Sequence, residues 1–189
     1  LAPLAADALQ MAEAAEAAQV KTQVGFNYLC NPMFALAREM IRAGEIGEVV
    51  SFRGVHAEDY MFDPASPFTF RHDPVGGGAT ADLASHVLAT AEYLVGPIAE
   101  VVGDCVNVID SRPDGKGGRR DVITDDIGRA LVRFAGGATG SIEASWVATG
   151  RKMQHDFEVY GTRGGLHFSQ ERFNELHYFS AADQAGRQA

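Results

Sequence analysis

Apolar residues recur along the chain with two periods, and each switch between them marks a new element. In DALQMAEAAEAAQ, residues 7–19, they return at nearly every third or fourth place, with Leu9, Ala12 and Ala15 or Ala18 along one face, so a helix is predicted. VKTQVGFNY, residues 20–28, predicts a short strand running into a turn at Gly25. A second helix opens with Asn31 as N-cap and Pro32 in its first position, keeps Phe34, Ala37, Met40 and Ile41 at helical spacing, and stops at Gly44. Residues 48–60 predict a long strand from their β-branched and aromatic content, and prolines break 64–74 into a loop.

A third helix is predicted over 79–95. On a helical wheel Ala84, Val87, Leu88, Ala91, Leu94 and Val95 share its core face, while Asp82, His86, Ala89 and Tyr93 fall nearly opposite. Residues 100–109 return to strand, and DSRPDGKGGRRD, 110–121, reads as a surface connector. The clearest alternation lies in 126–147. There Val132, Phe134, Ile142, Ala144 and Trp146 alternate with Arg129, Arg133, Ser141, Glu143 and Ser145 across Gly136–Gly137, which predicts a hairpin. Three more short strands follow at 154–161, 164–169 and 174–180. The fold class expected is α+β, a large, mostly antiparallel open sheet with helices on one face.

With 46% hydrophobic residues in 189, the chain can bury a sizeable core. Its formal net charge of −9 repels phosphate backbones and anionic membrane surfaces, so neither nucleic acid nor membrane is expected as a partner. Cys30 and Cys105 stand far apart with no CxxC pairing, which fits a reducing, cytoplasmic setting. Asp7, Glu13 and Glu16 spoil the first twenty residues as the apolar core of a signal peptide.

The candidate chemistry sits in GGGATADLASH, residues 76–86, where three glycines precede Asp82 and His86, one helical turn apart. On one reading the pair lies on an exposed helix face, Asp82 favouring the helix dipole and pairing weakly with His86. On the other, Asp82 fixes the tautomer of a basic His86 that takes a proton at neutral pH. The glycines either let a backbone or ligand approach closely or merely end a flexible loop. They follow a proline-rich loop and not a strand, so they are no dinucleotide fingerprint. A metal held by Asp82 and His86 would need His56, His72 or His155 to converge, and nothing in the spacing demands it.

PLAAD (3–7), VGFNY (24–28), GEIGEVV (44–50), GGGATADLASH (76–86), ATGSIEASW (138–146) and VYGTRGGLHF (159–168), in this order, resemble landmarks of the Gfo/Idh/MocA group of NAD(P)-dependent oxidoreductases. The resemblance implies that residues 1–26 are the last helix and strand of a dinucleotide-binding Rossmann domain, and that 27–189 form a substrate-binding and oligomerisation domain. It implies Asp82 and His86 at the catalytic centre, NAD or NADP as cofactor with Pro3 on the cofactor side, and a sugar, inositol or related polyol as substrate. Homodimers or homotetramers would form through the open sheet. Asn27, Tyr28, Tyr60, Arg71 and His155, at strand ends or loops near these motifs, are candidate contacts for a hydroxylated substrate. Two positions depart from the family pattern: Leu1-Ala2-Pro3 stands where Glu-Lys-Pro is usual, and Leu29 replaces a common arginine. A non-catalytic dimerisation or binding module is the rival reading, and Ala2 supports it.

Overall fold

The computed structural model describes residues 2–185. Helix α1, Ala5–Ala17, exists by alanine propensity and not by packing: none of its residues is buried, and Leu9 and Met11 are more than half exposed. Residues 20–26 then run without ladder partners into a 3-10 turn, Asn27–Cys30, in place of the expected strand. β-branched residues make a strand only where a neighbouring backbone completes the ladder, and none of the described residues offers one to this stretch. Helix α2, Pro32–Arg42, is capped as its sequence implies, Met33 N donating to the Asn31 side chain at 2.8 Å.

Strand β1, Val49–Ala57, lies at the heart of the domain. Seven strands form one sheet: β2 (Ile98–Val106), β5 (Ile127–Phe134), β6 (Thr139–Ser145), β1, β7 (Gln154–Gly161), β8 (Gly164–Ser169) and β9 (Leu176–Ser180), in that spatial order. Only β1 and β6 run parallel; every other neighbouring pair is antiparallel. The hairpin β5–β6 follows its alternation, with Val132, Phe134, Ile142 and Ala144 buried and Arg129, Arg133 and Glu143 on the other face.

The helix-covered face carries the core, in which Phe34, Phe52, Phe134, Phe157, Phe168 and Trp146 are all but sealed from solvent. Helix α3, Ser85–Leu94, crosses this face over β1, and a Cβ on Gly54 would overlap Val87, so glycine here sets how closely helix and strand pack. The buried face of α3 is turned from the expected one: Leu88 is exposed and Thr90 is 1% exposed. Thr90 tolerates burial because its hydroxyl donates to His86 O at 2.9 Å, and Leu88 at the edge of the stripe gives up its place. His86 therefore sits on the flank of the buried face and not opposite it.

The segment 110–121 is also more than a connector. It folds into a two-stranded ribbon, β3 (Ser111–Pro113) with β4 (Arg119–Asp121), whose Arg112 is fully buried. A short helix α4, Ala181–Ala185, ends the described residues, among which no helix is long and apolar enough to cross a membrane.

Candidate active site

The glycine run works by close approach. Gly76 and Gly78 have φ of +81° and +102°, and a side chain on Gly77 would run into the carbonyls of Arg71 and Asp73. Gly78 packs against Asp125, whose carboxylate accepts from Thr80 N at 2.8 Å and Thr80 Oγ1 at 2.7 Å, fixing this end of the helix to the entry of β5. Gly76 lies directly under Pro3, so residues 2–3 border the loop that leads to Asp82.

Between that loop and α3 the chain makes a π-helical turn, Thr80–Ala84, which widens the helix where Asp82 sits. The widened turn undoes the simple four-residue spacing. The Asp82 carboxylate is held elsewhere, its Oδ2 accepting from Tyr60 OH at 2.8 Å and Arg71 Nε at 2.9 Å. Tyr60 and Arg71, expected as substrate contacts, thus grip the catalytic candidate. Burial and the bond to Asp82 push the Tyr60 phenol well above its ordinary 10, so it stays a donor. Each element arrives for a local reason: Tyr60 follows β1, and Arg71 rides a one-turn 3-10 segment, Phe70–His72, closed by a Thr69–His72 capping box.

His86 makes no hydrogen bond to Asp82; its Nδ1 is buried without a partner among the described residues. Its neighbours are rings. Tyr28 meets it edge-on with centroids 5.0 Å apart, Phe26 at 5.6 Å and His56 at 5.6 Å. His155 stacks on Tyr28 at 4.4 Å and 6°, and His56 stands edge-on to His155 at 4.9 Å. His56 Nε2 lies 3.0 Å from Glu58 Oε1, and His155 Nε2 lies 3.1 Å from Thr90 Oγ1. Burial, then the nearby His56 and His86, pull the His155 pKa down to about 3, leaving it neutral. Burial is also the main cause lowering His86 from 6.5, with Asp82 opposing, so His86 is an unprotonated base at neutral pH.

The sequence candidates therefore fall into two adjoining groups: Asp82 with Tyr60 and Arg71, and His86 with Tyr28 and His155. His155 is 1% exposed and stacks on Tyr28. Asn27 is exposed one residue before Tyr28, and Pro3 rests on Gly76. Of the histidines weighed as metal partners, His56 and His155 converge near His86 whereas His72 packs against Trp146; among the described residues no three such side chains are placed to share an ion.

Sequence reasoning missed Glu58, Thr90 and Arg112. His56 was foreshadowed by sharing a β1 face with Phe52 and Gly54, and Thr90 by its place between Val87 and Leu94. Arg112 gave no signal. Its guanidinium donates to Met61 O at 2.7 Å and Asp63 O at 2.9 Å, anchoring the loop that carries Tyr60.

Comparison with known proteins completes the description. The family described as GFO/IDH/MocA C-terminal domain matches residues 34–167. The levoglucosan dehydrogenase of Pseudarthrobacter phenanthrenivorans is 38% identical over 94% of this chain and 49% of its own length. The scyllo-inositol 2-dehydrogenase (NAD(+)) of Bacillus subtilis is 29% identical over 84% of this chain and 43% of its own. A levoglucosan dehydrogenase solved in complex with NADH and levoglucosan superposes with TM-score 0.84 at 40% identity, covering 89% of this chain and 45% of that one. The chain thus spans about half the length of the curated relatives it matches.

Proposed function

Because the chain belongs to the Gfo/Idh/MocA family, we propose that it forms the substrate domain of an NAD(P)-dependent oxidoreductase that moves a hydride between nicotinamide and the hydroxyl carbon of a sugar, inositol or related polyol. The observation that carries the reading is His86, a neutral base with an unengaged imidazole, beside a carboxylate gripped by two donors. Residues 1–26 belong with the dinucleotide-binding part, and 27–189 form the substrate domain.

The residues present suit one wall of a nicotinamide site. Pro3 and the glycine loop put little side-chain bulk beside the start of the helix that carries His86. A strand followed by a G-x-G-x-x-G turn, the usual phosphate cradle, does not occur in this sequence, so the chain alone is expected to be inactive. When bound, the nicotinamide takes or gives the hydride. His86 takes the hydroxyl proton, Tyr60 and Arg71 keep Asp82 in place, and Tyr28 orients the His86 edge.

The test is turnover by the full-length protein with NAD or NADP, beginning with anhydrosugars such as levoglucosan and then inositols. Reduction of the dinucleotide is expected with at least one of them. No reduction with any polyol or sugar would favour the rival reading, a module that kept the fold and lost the chemistry, which Ala2 supports.

The open face of the sheet completes the proposal. It carries cross-strand pairs, Arg133–Glu100 at 3.3 Å, Arg129–Glu143 at 3.7 Å and Arg53–Glu158 at 3.2 Å, around a depression of about 550 Å3 floored by Val55, Leu131 and Ser141. A balanced charge lattice with an apolar centre suits a second copy of itself, so a homodimer or homotetramer is expected. Light scattering on the chain should give a multiple of 20.2 kDa; a monomer at high concentration would refute it.

A further inference from the structure

We propose that His56 and Glu58 form the exit for the proton that His86 removes from the substrate, acting through the buried Nδ1 edge of His86. The inference rests on the dehydrogenase reading above and assigns a route that the reading leaves open.

An imidazole that accepts a proton at one nitrogen must carry hydrogens on both. With Nε2 as the base, Nδ1 of His86 carries the hydrogen, and protonation at Nε2 puts positive charge on that N–H, which is buried and has no acceptor among its present bonds. Such a group is costly unless an acceptor stands near it. Asp82 does not fill that place: Nδ1 of His86 has no hydrogen bond to it, and its carboxylate is turned to Tyr60 and Arg71 through Oδ2.

The charged and titratable groups around His86 come from four elements: Asp82 from the π-helical turn, with Tyr60 and Arg71 on its carboxylate, Tyr28 from the 3-10 turn, His56 and Glu58 from β1 and just beyond it, and His155 from β7. Tyr28 is no base, since burial raises its phenol and the hydroxyl points to Met153 Sδ at 3.5 Å. His155 is neutral in a fixed tautomer. The Thr90 hydroxyl already spends its hydrogen on His86 O, so His155 Nε2 must donate to Thr90, and burial holds the ring against a second proton.

His56 remains. Its Nε2 faces the Glu58 carboxylate at 3.0 Å and therefore bears the hydrogen, which leaves Nδ1 as a bare lone pair, buried and unpartnered. The His86 and His56 rings stand 5.6 Å apart at 65°, a spacing at which two ring edges meet directly or through one water. Glu58 is 17% exposed, so the chain of groups ends at solvent.

The step balances. The C–H bond of the carbinol breaks with its hydrogen and electron pair leaving together as hydride to nicotinamide, and the O–H bond breaks with its proton passing to His86 Nε2 as the carbonyl forms. The Nδ1 proton of His86 moves to His56 Nδ1, the Nε2 proton of His56 moves to Glu58, and Glu58 releases one proton to water.

Three variants of the full-length enzyme test this: His56→Phe, Glu58→Gln and His56→Phe combined with His86→Ala. Loss of a supporting proton-transfer group should lower kcat by about 10- to 100-fold in His56→Phe, below the full worth of a general base, and by less in Glu58→Gln. KM should stay within about twofold, the solvent deuterium isotope effect on kcat should rise, and added imidazole buffer should restore part of the rate. The double variant should be no slower than His86→Ala alone. Glu58→Gln is nearly isosteric and partly exposed, so it covers the case in which His56→Phe fails to fold. A changed KM with an unchanged isotope effect would make His56 a mere substrate contact and overturn the relay, as would losses that multiply in the double variant. If His86→Ala itself turned over normally, the dehydrogenase reading would fall first, and the relay with it.

Discussion

Replacing His86 by alanine in the full-length protein lowers turnover by about 10²- to 10⁴-fold, the usual worth of a positioned general base. Its ring is the one histidine of the cluster that lies half-buried on the flank of α3; those of His56 and His155 are sealed. Burial lowers its pKa from 6.5, so the base is already free at neutral pH, and kcat/KM should stay level down to pH 6.5 and fall only below it. The same shift sets a sign for stability. With the folded pKa depressed, the unfolded chain binds the proton first, so the folded form is fully stable above pH 6.5 and loses this contribution as pH falls toward the folded pKa. His86→Ala removes that acid sensitivity along with the base. On the exposed, weakly paired face where the sequence pattern puts it, His86 could be removed at little cost to stability. Because the ring packs against Phe26, Tyr28 and His56, a loss of about 1–2 kcal/mol is expected instead. Turnover and melting measured on the same preparation separate the two effects: activity that merely tracks the unfolded fraction would remove His86 from the chemistry.

The second large effect lies away from the cleft. Arg112→Ala should destabilise the domain by about 3 kcal/mol in urea unfolding, because it empties a fully buried site and strips two carbonyls of a charged donor. Arg112→Met, which keeps bulk and removes the buried charge, should cost clearly less, since a buried ion replaced by an apolar shape is often tolerated. Both variants should also lower kcat/KM in the full-length enzyme, because the residue next to Tyr60 in the chain is Met61, whose carbonyl Arg112 holds. An alanine variant within about 1 kcal/mol of the parent would show that the anchor carries little, against the range expected for a broken buried interaction.

How far the sequence reached follows from what periodicity reports. A period of 2 or 3.6 says which side of an element is buried, so the β5–β6 hairpin and α2 were readable residue by residue. It does not say which strand lies beside which. That β1 enters between β6 and β7, parallel to the former, depends on pairings made across about a hundred residues of chain, such as Arg53 with Glu158. The same limit hid the real partners of Asp82, since Tyr60 and Arg71 reach it from a proline-broken loop whose path is set by the β3–β4 ribbon. Two misreadings have local causes. Residues 20–28 have strand composition but no ladder among the described residues, and 110–121 has loop composition yet turns back on itself. The ordered motifs fared better, because GGGATADLASH and its neighbours record a geometry that no single element's pattern contains.

One turn of helix bears on how this site could be lost or remade. The π-helical turn at Thr80–Ala84 holds one residue more than an α-helical ladder would. Deleting Ala84 would let that ladder close, with a more regular helix as the outcome, but everything on its N-terminal side, Asp82 included, would swing by about 100° against α3. Asp82 would point away from Tyr60 and Arg71, and the glycine loop would lose its seat on Asp125. The extra residue acts as a wedge, giving up helical regularity to aim one carboxylate. A shortened relative of this domain would fold well and face the wrong way.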